Sequence, residues 1–207
     1  MQLEFDYWWF KETLPKLLCK DIINFAKSKN DLRFGIIEGI EGVNKKSKRL
    51  NKKQKEKTFK TRNSNIVWFH NEKWIYRELQ HYLIEANKNA EWNFDVASAG
   101  SCQFTIYENN QYYDWHVDMF SKPQKQNTNR KISLTLCLSD SDEYEGGDLQ
   151  FSKDNHPEQE KQIITCKNFR NKGSVVLFPS FVWHRVTPVT KGKRCSLVIW
   201  YNGPSFK

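Results

Sequence analysis

A short run of the sequence, His116-Val117-Asp118, has residue types and spacing that suit a metal site. It follows the aromatic run YENNQYYDW, which is typical of a β-strand, and alternate residues of a strand point to the same face. The imidazole and the carboxylate are therefore expected to enter one cavity, while Val117 packs on the other side. His184, 66 residues beyond Asp118, supplies a second imidazole. Two imidazoles and one carboxylate form the facial set that leaves three positions open on ferrous iron.

Arg194 makes this set more specific. It begins a strand-like run ten residues after His184, and strand parity places Arg194, Ser196, Val198 and Trp200 on one face. A guanidinium on an inner wall requires an anion, and no acid in this strand provides one. The distal carboxylate of a dicarboxylic cosubstrate would form a bidentate pair with it.

The elements that must position these residues change character along the chain. Apolar residues at helical spacing predict one helix around Leu14–Ala26 and a second around Ile75–Ala86, with Asn71 as its N-cap. Period-two patterning then predicts strands at Ser101–Tyr107, Ile132–Leu138, Asp148–Phe151, Ile163–Thr165, Ser174–Phe178 and Arg194–Tyr201. The expected fold is mainly β (α+β), a double-stranded β-helix or jelly roll supported by N-terminal helices. The expected division is a helical support at residues 1–95 and a core at residues 96–207, within a single structural unit.

Several spaced segments together resemble the 2-oxoglutarate- and iron(II)-dependent dioxygenases of the prolyl hydroxylase type. They are Y-x8-H-x-D, Arg130 shortly before ISLTLCLSD, the acidic turn DEYEGGDLQF, and GSVVLFPSFVWHRVTPVTKGKR. The last of these, and SLTLCLSDSDEYEGGDLQ, are especially similar to bacterial PKHD-type hydroxylases. The resemblance covers roughly residues 97–203.

The resemblance implies a role for each matching residue. His116, Asp118 and His184 would bind iron(II), Arg194 would bind the C5 carboxylate of 2-oxoglutarate, and Tyr107 would be a second hydrogen-bond partner of that cosubstrate. Some animal prolyl hydroxylases have a tyrosine at the position of Cys137, so Thr135, of the same parity, is the expected replacement. The candidate substrate residues are Tyr113, Trp115, Arg130 and Trp200, and ascorbate is the expected reductant.

Two differences from related classes of dioxygenase narrow the range of expected reactions. Nucleic-acid repair dioxygenases usually carry a second arginine six residues after the first, where this chain has Trp200. Related halogenases replace the ligand carboxylate with a small residue, and here Asp118 is present. The leading hypothesis is hydroxylation of peptidyl proline or another protein side chain. The alternatives are a nucleic-acid oxygenase and a metal-binding jelly-roll protein without oxygenase activity.

The net charge of +9 comes from one segment. Residues 44–62 hold ten of the 33 basic residues and one of the 24 acidic ones, so the remaining 23 basic and 23 acidic residues cancel. Mutual repulsion of like charges favours a solvated loop, and attraction of an acidic partner is the alternative. By resemblance to prolyl hydroxylases, the segment is expected to be a mobile lid beside the active site. A nucleic-acid clamp is the competing interpretation.

The amino-acid composition limits which cellular compartment is expected for this protein. The longest uncharged runs have twelve residues, whereas a membrane-spanning helix needs about 20, so no membrane partner is expected. The N-terminus lacks the basic and apolar regions of a signal peptide. Five cysteines without a C-x-x-C pair predict reduced thiols and a cytoplasmic protein. His70, His81 and His156 are expected to be structural or exposed, and Gly146-Gly147 to form a hairpin turn.

Overall fold

The computed structural model describes residues 3–35, 56, 58–124, 127–153 and 162–206. Two α-helices lie in this part of the chain, α1 (Lys16–Ser28) and α2 (Lys73–Asn89). The fifteen described strands are β1 (Trp8–Phe10), β2 (Arg33–Phe34), β3 (Arg62–Asn63), β4 (Asn65–Phe69), β5 (Ser98–Ala99), β6 (Cys102–Tyr107), β7 (Tyr112–His116), β8 (Thr128–Cys137), β9 (Tyr144–Gly146), β10 (Leu149–Ser152), β11 (Ile163–Thr165), β12 (Val175–Pro179), β13 (His184–Val186), β14 (Val189–Gly192) and β15 (Arg194–Pro204).

The strands form two main antiparallel sheets. The larger has the order β1-β12-β8-β15-β6-β4-β2, with β5 also paired to β15, and the smaller has the order β11-β10-β13-β7-β3. A two-stranded ribbon joins β14 to β9. Strands distant in sequence therefore lie side by side, which is the jelly-roll arrangement that the sequence predicted. The predicted fold class is confirmed.

The helices pack on the outer face of the larger sheet because both carry an apolar stripe. Cys19, Ile22 and Ala26 of α1 are buried, as are the apolar residues at helical spacing in α2, namely Ile75, Leu79, Tyr82, Leu83 and Ala86. They share a core with Leu197, Ile199 and other alternate residues of β15. A second core lies between the sheets and includes Tyr107, Phe151 and Phe178. None of the described helices is long and apolar enough to cross a membrane.

Three details differ from the sequence expectations. Leu17, one of the apolar residues whose spacing predicted α1, is 70% exposed and does not belong to its buried stripe. The N-cap of α2 is Glu72, without a side-chain capping bond, because Asn71 adopts φ +63° and stands one residue too early. Gly146 and Gly147 have positive φ, but the flanking strands β9 and β10 pair with other strands, so the turn closes no hairpin.

Most of the basic segment 44–62, and His156, lie outside the described residues. The described end of the segment departs from the expected solvated loop. Thr58 is fully buried, and Arg62 belongs to β3 and is 4% exposed. The β3–β7 pairing places Arg62 opposite Tyr113, so this charge faces the interior of the molecule. Assigning Arg62 to a solvated loop was wrong.

Candidate active site

The two histidines meet because their strands are neighbours. β7 and β13 pair antiparallel with His116 directly opposite His184, and Asp118 follows β7 by two residues. His116 Nε2 lies 3.8 Å from Asp118 Oδ1, and His184 Nε2 lies 3.6 Å from Asp118 Oδ2. One ligand atom from each residue lies within 4.8 Å of the other two. The three predicted residues therefore form a possible iron site.

Hydrogen bonds orient each of these side chains. His116 Nδ1 donates to the carbonyl of Asp114 at 2.8 Å, and His184 Nδ1 donates to the carbonyl of Val182 at 2.9 Å. Because a carbonyl only accepts, both rings must carry the proton on Nδ1, which leaves each Nε2 lone pair for a metal.

The carboxylate of Asp118 is held from the larger sheet. Ser133 Oγ of β8 donates to Asp118 Oδ2 at 2.7 Å and lies 2.9 Å from Ser180 Oγ. The carbonyl of Ser180 accepts the backbone N–H of Asp118 at 2.8 Å. These contacts fix the carboxylate opposite the two imidazoles, as the outer partners of a metal ligand do.

The electrostatics keep two of the three groups ready to bind a cation. Burial and the neighbouring His184 hold the pKa of His116 well below its ordinary value, so its imidazole is neutral. Burial alone would raise the pKa of Asp118, but the nearby His184 and His116 outweigh it and lower that pKa. An ionised carboxylate beside a neutral imidazole is the protonation state that a divalent metal requires.

Arg194 lies at the base of the same cavity, at the start of β15. It is 2% exposed, its Nη1 reaches Ser196 Oγ at 3.4 Å, and its Nε has no hydrogen-bond partner among the described residues. Gly147, at φ +62°, makes room for it, since a Cβ there would lie 2.8 Å from the Arg194 Cδ. A buried guanidinium with unused donors fits a carboxylate ligand.

Of the other positions considered for cosubstrate binding, Tyr107 and Thr135 line the cavity and Cys137 does not. Tyr107 pairs with Arg194 across β6 and β15, and its ring centroid lies 5.4 Å from the Arg194 Cζ. Thr135 also lines the cavity. Cys137 does not line it; its thiol donates to the carbonyl of Ser139 within the core between the sheets.

The four candidate substrate residues occupy different places. Tyr113 and Trp200 line the cavity, and Tyr113 stacks on His116 with ring centroids 3.5 Å apart. Burial raises the pKa of Tyr113 to about 12, so its phenol remains a hydrogen-bond donor. Arg130 lies over the Trp200 ring at 4.1 Å in an adjacent groove of about 310 Å³. Trp115 lies outside both and packs under Arg185 at 4.7 Å.

Sequence reasoning missed Arg62, Gln103 and Ser133. Arg62 and Gln103 line the cavity, and Ser133 orients Asp118. Ser133 and Gln103 stand at alternating positions of strands β8 and β6, so parity with Thr135 and Tyr107 would have found them. Arg62 is the last residue of a charged run and carried no comparable signal.

The jelly roll brings two histidines, one aspartate and a buried arginine into one cavity, which offers a possible metal site beside a guanidinium with an unused donor. Residues 102–202 match the model of the 2OG-Fe(II) oxygenase superfamily. The donor set and the unused Arg194 donors fit iron(II) and 2-oxoglutarate, respectively.

Curated relatives agree with this assignment. The chain is 40% identical over 100 residues to a PKHD-type hydroxylase of Teredinibacter turnerae, which covers 47% of this chain and 41% of that protein. It is 32% identical over 131 residues to the PKHD-type hydroxylase YbiX of Escherichia coli, which covers 61% of this chain and 55% of that protein. The chain thus spans about half the length of the curated relatives it matches. The predicted resemblance is confirmed.

Solved structures share the fold at low sequence identity. A viral collagen prolyl hydroxylase from Paramecium Bursaria Chlorella virus-1 has a TM-score of 0.66 at 18% identity, over 97% of each chain. A prolyl-4-hydroxylase of Pseudomonas putida has a TM-score of 0.65 at 16% identity, over 99% of this chain and 95% of that one. The fold therefore extends beyond the matched family region to the N-terminal helices.

Proposed function

We propose that this protein is an Fe(II)- and 2-oxoglutarate-dependent dioxygenase that hydroxylates a prolyl residue, or another side chain, of a peptide or protein. The observation that carries the proposal is the convergence on one cavity of His116, Asp118, His184 and a buried Arg194 whose Nε bonds to no described residue. When bound, iron(II) with 2-oxoglutarate supplies oxygen insertion into a C–H bond, with release of succinate and carbon dioxide.

The residues of the chain would position and shield this chemistry. His116, Asp118 and His184 would hold iron(II) through Nε2, a carboxylate oxygen and Nε2. Arg194 would bind the C5 carboxylate of 2-oxoglutarate, with the Tyr107 hydroxyl and Thr135 as further hydrogen-bond partners. Phe178 and Leu149 line the same cavity and would keep bulk water from the reacting atoms.

The adjacent groove supports a peptide as the substrate. Trp68, Phe120, Arg130 and Trp200 line it, and Trp200 also lines the catalytic cavity, so the two spaces adjoin. Trp200 Nε1 is buried and bonds to no residue in the described part of the chain, which suits a peptide carbonyl. Aromatic grooves of this kind accept extended, proline-containing segments. We therefore assign Tyr113, Arg130 and Trp200 to substrate binding, and Trp115 only to the outer rim.

The test is mass spectrometry after incubation with iron(II), 2-oxoglutarate and ascorbate as the reductant. Proline-containing peptides should gain one oxygen atom, matched peptides with alanine in place of proline should not, and succinate should be formed. Asp118→Ala protein is the negative control. Oxygen gain on oligonucleotides alone would replace the proposal with a nucleic-acid oxygenase. Absence of succinate would leave a metal-binding protein without oxygenase activity.

A further inference from the structure

Arg62 is a second buried guanidinium in the catalytic cavity. Its Nε donates to Ser64 Oγ at 2.7 Å and its Nη2 to Gln103 Oε1 at 2.6 Å, while its Cζ lies 4.5 Å from the centroid of the Tyr113 ring. All of these partners are uncharged. Its Nη1 makes no hydrogen bond to any described residue, and no described carboxylate forms an ion pair with it.

The surroundings hold Arg62 in this position. A Cβ at Gly35 would lie 2.6 Å from both Arg62 Nε and Ser64 Oγ, so the glycine leaves the space that the guanidinium occupies. Gly35 also donates its backbone N–H to the carbonyl of Ser64 at 2.8 Å. The described residues thus form a niche around a charge for which none of them provides a counter-ion.

The charges in the cavity can be counted with iron(II) and 2-oxoglutarate bound, to find which charge would lack a counter-ion. Its described lining holds three residues that are charged at neutral pH: Arg62, Arg194 and Asp118. Asp118 and the C1 carboxylate of 2-oxoglutarate would balance the two charges of iron(II), and the C5 carboxylate would balance Arg194. One positive charge, that of Arg62, remains. A buried guanidinium without a counter-ion is costly, so binding of one more anion would be favoured.

Other charges near the site have the same sign. Arg130 lies over Trp200, in the groove that adjoins the cavity. Residues 44–61, which lead into Arg62, carry a local charge of +8. Asp114, two residues before His116, is exposed, and its Oδ1 accepts the backbone N–H of Trp115.

We infer that Arg62 recognises a carboxylate of the substrate, namely an aspartate or glutamate side chain near the residue that is hydroxylated in an acidic peptide segment. The inference rests on the proposed function, since it concerns the same site. It adds a specificity-determining residue that takes no part in binding iron or 2-oxoglutarate. A substrate acid would complete the hydrogen bonding of Nη1 and neutralise the last cavity charge at the same time.

The test is a glutamate scan through a neutral proline-containing peptide. Glutamate is placed in turn at each of the three positions on either side of the proline, and each peptide is compared with its glutamine counterpart. Binding is measured without oxygen, by anisotropy of labelled peptides, with iron(II) and 2-oxoglutarate present and at one ionic strength. At one or two positions glutamate should bind about tenfold tighter than glutamine, equivalent to about 1.4 kcal/mol.

Variants assign the preference to Arg62. Arg62→Gln should reduce the glutamate preference to less than about twofold, and Arg62→Lys should retain part of it because the charge remains. Arg33→Gln, which removes a half-buried arginine paired with Asp31, should keep the full preference. If Arg62→Gln does not fold, the scan on the unmodified protein decides.

Equal binding of glutamate and glutamine peptides at every position, or a preference that persists in Arg62→Gln, would overturn the inference. Equal hydroxylation of both peptide sets would do so while leaving the proposed function intact. Oxygen gain on oligonucleotides but on no peptide would overturn both.

Discussion

The imidazoles of the two candidate iron ligands are oriented by the same local device. Each Nδ1 donates to the carbonyl two residues earlier in the chain, Asp114 for His116 and Val182 for His184. The extended backbone therefore sets the tautomer without a second carboxylate. The Asp118 side chain is instead held by Ser133 from the opposite sheet. Both sheets must be in place for the three ligand atoms to converge.

Removal of any one ligand should abolish metal-dependent turnover. His116→Ala, Asp118→Ala and His184→Ala should each lose iron binding by at least about tenfold and lose succinate formation, while the far-ultraviolet circular dichroism stays native. His81→Ala, which removes an exposed histidine whose ring lies tilted against that of Tyr82, is the control. Near-normal activity in any of the three variants would remove that residue from the site.

Arg194 should determine the affinity for 2-oxoglutarate. Arg194→Ala is expected to raise the dissociation constant of 2-oxoglutarate about a hundredfold or more, since loss of one member of a buried charged pair costs about 3–5 kcal/mol. Lys at this position should recover part of the affinity because it keeps the charge but not the planar fork. The measurement is equilibrium binding without oxygen, with Arg33→Ala as the control. Unchanged affinity would refute the assignment.

The pKa of His116 should make the metal-free protein sensitive to mild acid. Above pH 6.5 this imidazole is neutral in both the folded and the unfolded chain, so it contributes no pH dependence. Below pH 6.5 the unfolded chain binds a proton that the folded chain does not. The free energy of unfolding should therefore fall, by up to about 1.4 kcal/mol per pH unit from this residue. Urea titrations between pH 7.5 and 5 should show a shallower slope in His116→Asn than in the unmodified protein.

At the scale of elements, the sequence predicted the helices and strands whose hydrophobic pattern repeats several times. It missed the short strands that are defined by pairing with another strand. The stripe of α2 and the alternation of β15 extend over several repeats, so their buried faces could be assigned. β1 and β3 have three and two residues, too few to show a period, and each is defined by pairing with β12 or β7. The missed cavity residue Arg62 lies in such a strand. Its burial depends on contacts with Gln103 and Tyr113 that are far away in sequence.

The helices should contribute stability rather than chemistry. Leu79→Ala on the buried face of α2 is expected to lower the free energy of unfolding by about 2–5 kcal/mol, because it leaves a cavity in the core beneath the larger sheet. Ile84→Ala, on the same helix but 61% exposed, should change it by less than about 0.5 kcal/mol. Turnover of both folded proteins should remain normal. A loss of kcat in Leu79→Ala at a temperature where it is folded would show that α2 shapes the site.

At the scale of the whole molecule, one face of the larger sheet forms the core with the helices and the other face lines the candidate cavity. Alternate residues of β15 face the helices and form the main core, while Arg194, Ser196, Val198 and Trp200 face the cavity. Substitutions on one face can therefore alter stability and those on the other can alter binding, although they are neighbours in sequence. The charge is also unevenly distributed. The whole net charge of +9 lies in residues 44–62, and the rest of the chain has a net charge of zero.

This division of charge predicts how the protein behaves toward nucleic acid. Binding of a single-stranded oligonucleotide is expected to be weak and to disappear between about 50 and 200 mM salt, because a neutral body offers no basic track beyond one segment. Replacing the lysines of residues 45–57 with glutamine should abolish this binding and should also slow hydroxylation of an acidic peptide more than that of its neutral counterpart. Anisotropy measured over a salt series, and mass spectrometry of both substrates, provide the readouts.

Oligonucleotide binding that persists at 200 mM salt and is accompanied by oxygen gain on the nucleic acid would contradict the prediction. In that case the basic segment would act as a clamp on phosphates, and the anion expected beside Arg62 would belong to a nucleotide rather than to a glutamate or an aspartate.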